Sequence, residues 1–311
     1  MRHDQFKDRP RKKIAITGAS GTVGTALRHF FTTGGHEVYT ITRSENAKDD
    51  HTIHWDIDKG TIDTARLEGI DVFIHLAGES ISQRWTDEAK ARIKQSRVKG
   101  TRLLSEAIAS LDKKPEVLLS ASAVGYYGAY LDDAIKTEDS SPGSDFLAEV
   151  CEAWEESAQA ARDAGIRVVH TRLGVVLTPQ GGALEQMLTP FKMGVGGRVG
   201  SGKQYMSWVA LDDVLGAMNH AMFTPEVEGP VNVTSPNPVT NKEFTKTLGK
   251  VLNRPTILPV PNLALYTMLG KEAATKLLLE GQRVLPKRLL DQDFHFAYPE
   301  LEAALSHMLG K

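Results

Sequence analysis

The sequence predicts an α/β protein, a doubly wound parallel sheet followed by a smaller C-terminal lobe. Three observations predict it. From Lys13 to about Thr178, apolar runs of strand length alternate with amphipathic stretches of helical period, the pattern of βαβ units. The first run passes directly into three glycines, Gly18, Gly21 and Gly24, at spacing G-x-x-G-x-x-G. Beyond Thr178 the texture changes to a glycine-rich stretch and then to a segment punctuated by prolines.

Taken in order, the strand runs are Lys13–Thr17, Glu37–Thr42, a third strand-like stretch that Asp56-Ile57 follows, Val72–Leu76, Val117–Ser122 and Arg167–Thr171. Val72–Leu76 alternates little, as expected when both faces of a strand are covered. Leu27, Phe30 and Phe31 give the residues after Gly24 helical spacing. Glu88–Ser110 and Phe146–Ala164 read as long helices. Gln180–Gln204 holds glycines at 181, 182, 194, 196, 197, 200 and 202 and reads as a functional or disordered loop. Pro230–Thr234 reads as a late strand, and Leu263–Leu269 and Thr275–Leu279 as terminal helices. The expected division is a basic flexible tail at 1–12, a nucleotide-binding domain at 13–250 with insertions at about 180–205, and a small, mainly helical domain at 251–311. Arg2, Lys7, Arg9, Arg11, Lys12 and Lys13 make the first residues basic, and a solvated tail is the reading.

The 311 residues are 41% hydrophobic and 24% charged, with a formal net charge of −2. That is an ordinary globular composition, with no global field to attract nucleic acid or an anionic membrane. Cys151 is the only cysteine, so no intrachain disulfide can form. No apolar stretch precedes Ile14, and no run approaches the ~20 apolar residues that cross a bilayer. A cytoplasmic protein that takes neither nucleic acid nor membrane is expected. His51 and His54 lack further ligands and read as a turn, so no metal site is expected.

The glycine run has the form of a βα turn that holds a dinucleotide pyrophosphate. Gly18 turns the chain off the strand, Gly21 admits the phosphates to the backbone, and Gly24 lets the first helix pack on the sheet. The N–H groups around Ser20, Gly21, Thr22 and Val23 would form, with the helix dipole, an anion seat. A Rossmann-type doubly wound parallel sheet with a small C-terminal substrate lobe is therefore the fold class. The second strand ends in Thr42-Arg43-Ser44, with no Asp or Glu to accept from a ribose 2′-OH. Arg43 suits a 2′-phosphate, so NADP is expected over NAD; a plain surface arginine is the other reading. Asp56 either contacts adenine or holds a turn. Leu76, Ala77 and Gly78 end a strand in small residues against which the cofactor ribose can lie. His75 reads as a satisfied core histidine.

Four segments then follow in order: Thr17–Gly24, Leu76-Ala77-Gly78, Ser96-Arg97-Val98-Lys99-Gly100-Thr101, and the stretch from Ser120 to Gly128, Ser-Ala-Ser-Ala-Val-Gly-Tyr-Tyr-Gly. Together they resemble the extended short-chain dehydrogenase/reductases, the NAD-dependent epimerase/dehydratase superfamily. Further stretches narrow the resemblance to its atypical "epimerase family" branch, often labelled sugar-nucleotide epimerase: Asp145–Cys151, Gly200–Gln204, Ser207-Trp208-Val209, Gln282–Leu289 and Phe294–Pro299. The last two resemble that branch's small C-terminal domain of unknown function. The resemblance spans nearly the whole chain after residue 12. It implies a small-molecule substrate, a nucleotide sugar or another phosphorylated metabolite, and a homodimer through the helices Glu88–Ser110 and Phe146–Ala164.

In that superfamily a serine follows the strand matched here by Val117–Ser122, and a Tyr-x-x-x-Lys pair on the next helix supplies the general acid or base. Ser122 matches the serine. The pair should fall on Phe146–Cys151, where Phe146 stands with Val150 and Leu147 with Cys151; neither can move a proton that way. Tyr126 is the candidate replacement and Tyr127 a candidate substrate contact, with ordinary packing as the other reading of both. Glu138 and Glu149 are candidate carboxylates, or a polar loop and a solvated face. Cys151 has no His or Lys beside it and reads as packing. The resemblance places Arg84, Trp85 and Arg97 along the substrate pocket, the arginines as anion clamps, with Gln204 and Trp208 closing it from the other side; both tryptophans also suit a core. The expected function is an NADP(H)-binding oxidoreductase or sugar-nucleotide epimerase without the usual Tyr–Lys pair, the alternative being a cofactor-holding sensor with little turnover.

Overall fold

The computed structural model describes residues 10–44 and 49–311. Arg2, Lys7 and Arg9 of the basic tail lie outside the described residues. Lys12 is already fastened, its ammonium paired with Glu116 and its N–H donating to His36 Nδ1 at 3.1 Å.

The first half of the chain runs β1 (Lys13–Thr17), α1 (Thr22–Thr33), β2 (Glu37–Thr42), β3 (Thr52–Asp56), β4 (Thr61–Ile62), β5 (Val72–His75), α2 (Asp87–Ser110), β6 (Val117–Ala123), β7 (Ile135–Lys136), α3 (Phe146–Glu156) and α4 (Gln159–Asp163). The second half runs β8 (Arg167–Leu173), β9 (Val175–Leu177), α5 (Gly182–Lys192), β10 (Tyr205–Met206), β11 (Trp208–Ala210), α6 (Leu211–Phe223), β12 (Gly229–Val233), β13 (Val239–Thr240) and α7 (Asn241–Leu252). It closes with α8 (Asn262–Leu269), α9 (Lys271–Ala274), β14 (Arg283–Val284), α10 (Lys287–Asp291) and α11 (Leu301–Leu309).

Eight strands form one sheet in the order β12-β8-β6-β5-β1-β2-β3-β4. All neighbours are parallel except β3 and β4. Successive residues of a strand serve opposite faces. Ile14 and Ile16 join the core under α1 and α6, whereas Ala15 joins the core under α2 and α4. Val72 and Ile74 divide from Phe73 in the same way. Two buried layers explain the nearly unbroken apolar runs, each large side chain contributing ~1.5–3 kcal/mol.

Two expected elements differ. Phe146–Ala164 is two helices, because Ser157 Oγ donates back to Ala153 O at 2.6 Å and the turn at Ser157–Ala158 redirects the chain. The glycine-rich loop contains α5, whose Leu184, Leu188 and Phe191 are buried at helical spacing. They pack with Phe244 and Leu248 of α7 and Leu301 and Leu305 of α11. Residues on both sides of position 250 thus share the core of the lobe.

Candidate functional site

Two adjoining spaces lie at the carboxyl end of the sheet. The first is a groove of about 570 Å³ lined by Gly18, Ser20, Gly21, Arg43, Leu76 and Ala77, with Gly78 beyond them. Gly18 has φ +66°, and a Cβ there would stand 2.9 Å from Ala77 N. A Cβ on Gly24 would meet Gly18 O at 2.2 Å. The turn is therefore closed to larger residues. Gly21 N–H is spent on Gly18 O at 3.0 Å. The open donors are those of Thr22, Val23 and Gly24, the first turn of α1, which has no side-chain cap. An uncapped twelve-residue helix facing a groove, with backbone on its floor, fits a dinucleotide phosphate.

Thr17 fixes that floor. Its Oγ1 accepts from Leu76 N–H at 3.0 Å and Ala77 N–H at 3.2 Å. Its one proton is then left for His75 Nδ1, 2.8 Å away. His75 carries its own proton on Nε2, which has no partner among the described residues. The expected satisfied histidine is half satisfied, and burial, with Arg97 second, pushes it down to about 3. Arg43 is exposed on the groove wall. Asp56 is not on that wall: its carboxylate accepts from the backbone of Asp58 and Lys59 and pairs with Lys59 Nζ at 3.0 Å. Of the two readings offered for Asp56 the turn is the one seen, and its neighbours Trp55 and Ile57 line the groove instead.

The second space is a cavity of about 310 Å³. Leu147, Val150 and Cys151 of α3 form one wall, on the face where the Tyr–Lys pair was sought. Phe146 turns away and packs edge-on to Trp85 with ring centroids 5.1 Å apart. Leu277, Leu278 and Gln282 of the C-terminal segment also line it, and Leu277 packs in one cluster with Leu147 and Val150. Arg97 joins the two spaces: it lines the cavity, and a Cβ on Gly78 would stand 3.2 Å from its Cζ.

Ser122 and Tyr127 do not line this cavity, and neither does Tyr126. Ser122 is 2% exposed and donates to Glu155 Oε1 at 2.7 Å. Glu155 grips Arg172 through both oxygens, Oε1 to Nε at 2.7 Å and Oε2 to Nη2 at 2.8 Å. Arg172 donates to the Tyr127 hydroxyl at 2.9 Å, and that hydroxyl donates to Asn232 Oδ1 at 2.7 Å. The Arg172 guanidinium covers the Tyr126 ring, 3.4 Å from its centroid. Burial pushes the Tyr127 phenol up to about 12. Burial ties these groups into one network outside the cavity lining.

The remaining candidates separate likewise. Trp208 is wholly buried and donates from Nε1 to Asn237 O. Trp85 packs against Ile93, Val150 and Ala273, one layer behind the cavity. Arg84 donates to Thr267 O at 2.7 Å on the surface. Gln204 does line the cavity. Cys151 is buried, and burial, then Glu155, pushes its thiol up to about 12, so it offers no thiolate. Glu138 is buried and accepts from the backbone N–H groups of Asn232 and Arg288, while Glu149 is exposed. The sequence reading missed Lys276, which lines the cavity and contacts Glu280 at 2.7 Å, Asp145 at 3.6 Å and Ala129 O at 3.0 Å. Burial opposes its charge, but Glu280 and Asp145 outweigh that and raise it. Lys276 sits in Thr275–Leu279, read from the sequence as helical and seen as a π-helical turn, whose wider winding the sequence pattern does not announce.

The profile of the NAD dependent epimerase/dehydratase family matches residues 14–234. The chain belongs to that family. A second profile, a domain of unknown function (DUF1731), matches residues 260–308 of this family member. It is 41% identical over 295 residues to the epimerase family protein Mb2239 of Mycobacterium bovis, covering 94% of this chain and 96% of that one. It is 38% identical over 300 residues to the epimerase family protein YfhF of Bacillus subtilis, covering 96% and 98%. Among solved structures it is similar to human epimerase family protein SDR39U1 with NADPH, at 34% identity and a TM-score of 0.88 over 96% of this chain and 99% of that one. A nucleoside-diphosphate sugar epimerase from Corynebacterium glutamicum gives 37% identity and a TM-score of 0.80, over 97% of this chain but 59% of its own. Among the described residues no helix is long and apolar enough to cross a membrane, and no cluster of ligands could hold a metal ion.

Proposed function

We propose that this family member binds NADP(H) and works as an atypical oxidoreductase or epimerase on a small molecule held beside the cofactor. The observation that carries the reading is the junction at Arg97, where a phosphate-fitting groove meets a second, mostly apolar cavity. Gly18, Gly21 and the first turn of α1 would hold the pyrophosphate, Leu76-Ala77-Gly78 the ribose, and Arg43 the 2′-phosphate. The similarity to the human protein solved with NADPH supports the phosphorylated form of the cofactor. A bound nicotinamide supplies hydride transfer. The walls of α3 and the C-terminal segment would line the space beside it.

A second reading, a cofactor-holding sensor, is favoured by one observation: Ser122 and Tyr127 are spent inside a closed network, and the α3 face toward the cavity is apolar. Fluorescence titration with NADPH and NADH tests the common premise. Saturable binding with preference for NADPH is expected, and no binding of either overturns both readings. Turnover of a panel of carbonyl compounds and sugar nucleotides then separates them.

A further inference from the structure

The cavity walls are mostly apolar: Leu147, Val150, Leu173, Val175, Met187 and Leu277 supply much of the surface. At about 310 Å³ it has room for roughly ten water molecules at ~30 Å³ each. A nucleoside diphosphate sugar is larger than this space, and its phosphates and hydroxyls would need more open partners than Arg97 and Gln204 supply.

Asn241, Lys276, Glu280 and Gln282 also line the cavity, with Lys276 paired to Glu280; two further polar groups, Arg97 and Gln204, keep hydrogen-bonding capacity open among the described residues. Arg97 spends Nη1 on Glu79 O at 2.9 Å and Ile93 O at 3.0 Å. Its Nε and Nη2 carry no hydrogen bond among the described residues. No carboxylate there pairs with it: the Glu79 side chain is taken by Arg92 and Gln83. Its guanidinium lies over the Trp154 ring, 5.0 Å from the centroid, which holds the charge in place. A largely buried cation without a carboxylate is costly unless an anion completes it. Gln204 is 2% exposed and donates both amide hydrogens, to Val199 O at 3.0 Å and Leu278 O at 2.7 Å. That fixes its orientation and leaves Oε1 buried and unpartnered.

Resting on the cofactor reading above, we propose that the cavity takes a small apolar molecule bearing a single anionic group, a short branched-chain oxo or hydroxy acid in character, with the anion on Arg97 and a donor, where the ligand has one, toward Gln204 Oε1. Arg97 then selects for charge, and the apolar walls select against sugars.

The test uses the full chain saturated with NADPH, with calorimetric titration of three probes: 4-methyl-2-oxopentanoate, its neutral counterpart 4-methylpentan-2-one, and UDP-glucose. The oxo acid is expected to bind at least tenfold more tightly than the ketone, and UDP-glucose not at all. Arg97→Gln should remove that preference, with Arg97→Lys restoring part of it. Ala183→Phe, which fills the cavity from its wall, should abolish oxo-acid binding. NADPH titration of each variant reports separately on the folded groove. Binding of UDP-glucose, equal affinity for ketone and oxo acid, or no probe bound by a chain that binds NADPH would each overturn the assignment. Loss of NADPH binding in the unaltered protein would instead bring down the cofactor reading.

Discussion

Ser122 Oγ and Arg172 Nε both lie 2.7 Å from the same oxygen, Oε1 of Glu155. The serine therefore shares a buried carboxylate with an arginine, and its only proton is committed there.

The arrangement predicts unequal consequences for its members. Ser122→Ala removes one charge-assisted bond and should cost about 1.5–3 kcal/mol, leaving NADPH affinity within about twofold. Glu155→Gln leaves Arg172 without its counter-charge and should cost about 3–5 kcal/mol. Urea unfolding of the two variants checks the order; a serine variant that folds normally but loses the cofactor would contradict it.

Gly24→Ala places a methyl group 2.2 Å from Gly18 O. Helix α1 must shift off the sheet, at about 1–3 kcal/mol. The shift moves the N–H groups of Thr22 and Val23, so NADPH affinity should fall by at least tenfold while circular dichroism still reports an α/β fold.

Arg43→Ala should lower affinity for NADPH by about tenfold or more, the worth of a charge-assisted contact, and leave NADH nearly unchanged. Parallel titrations with the two cofactors read this directly. No loss for either would assign Arg43 to the surface alone, and equal losses would place it on a part that the two cofactors share.

Acid should weaken the fold before carboxylates titrate. Burial pushes His75 down to about 3 and His170 to about 4. Unfolded histidine titrates near ~6.5, so between that value and the folded ones the unfolded chain binds more protons. Stability is fully present above about pH 6.5 and falls on acidification, by up to ~1.4 kcal/mol per pH unit for each group. Urea midpoints should drop between about pH 7 and about pH 5, and His75→Asn should flatten that slope.

The fold was legible because its signals are local. Strand residues such as Ile14-Ala15-Ile16 must be apolar on both faces, and the glycines at 18 and 24 answer to contacts within a few residues. The cavity was less legible because its walls meet from distant parts of the chain. Nothing near Lys276 signals that it reaches Ala129 and Asp145. Helix α5 was hidden by neighbouring glycines, and Trp208, conspicuous in the sequence, was drawn into the core by its size. Ser122 and Tyr127 were placed correctly along the chain but not in depth, since the carboxylate that holds the serine is 33 residues away.

The C-terminal segment has a consequence for how such proteins diversify. Leu277, Leu278 and Gln282 line the cavity together with α3, yet they belong to the stretch matched separately at residues 260–308. The phosphate cradle at Gly18–Gly24 lies wholly in the other stretch. On the function proposed above, ligand choice can therefore drift by exchange of one appended partition while the glycine cradle is inherited intact, and a chimera carrying a relative's terminal segment would change tenants without changing its landlord.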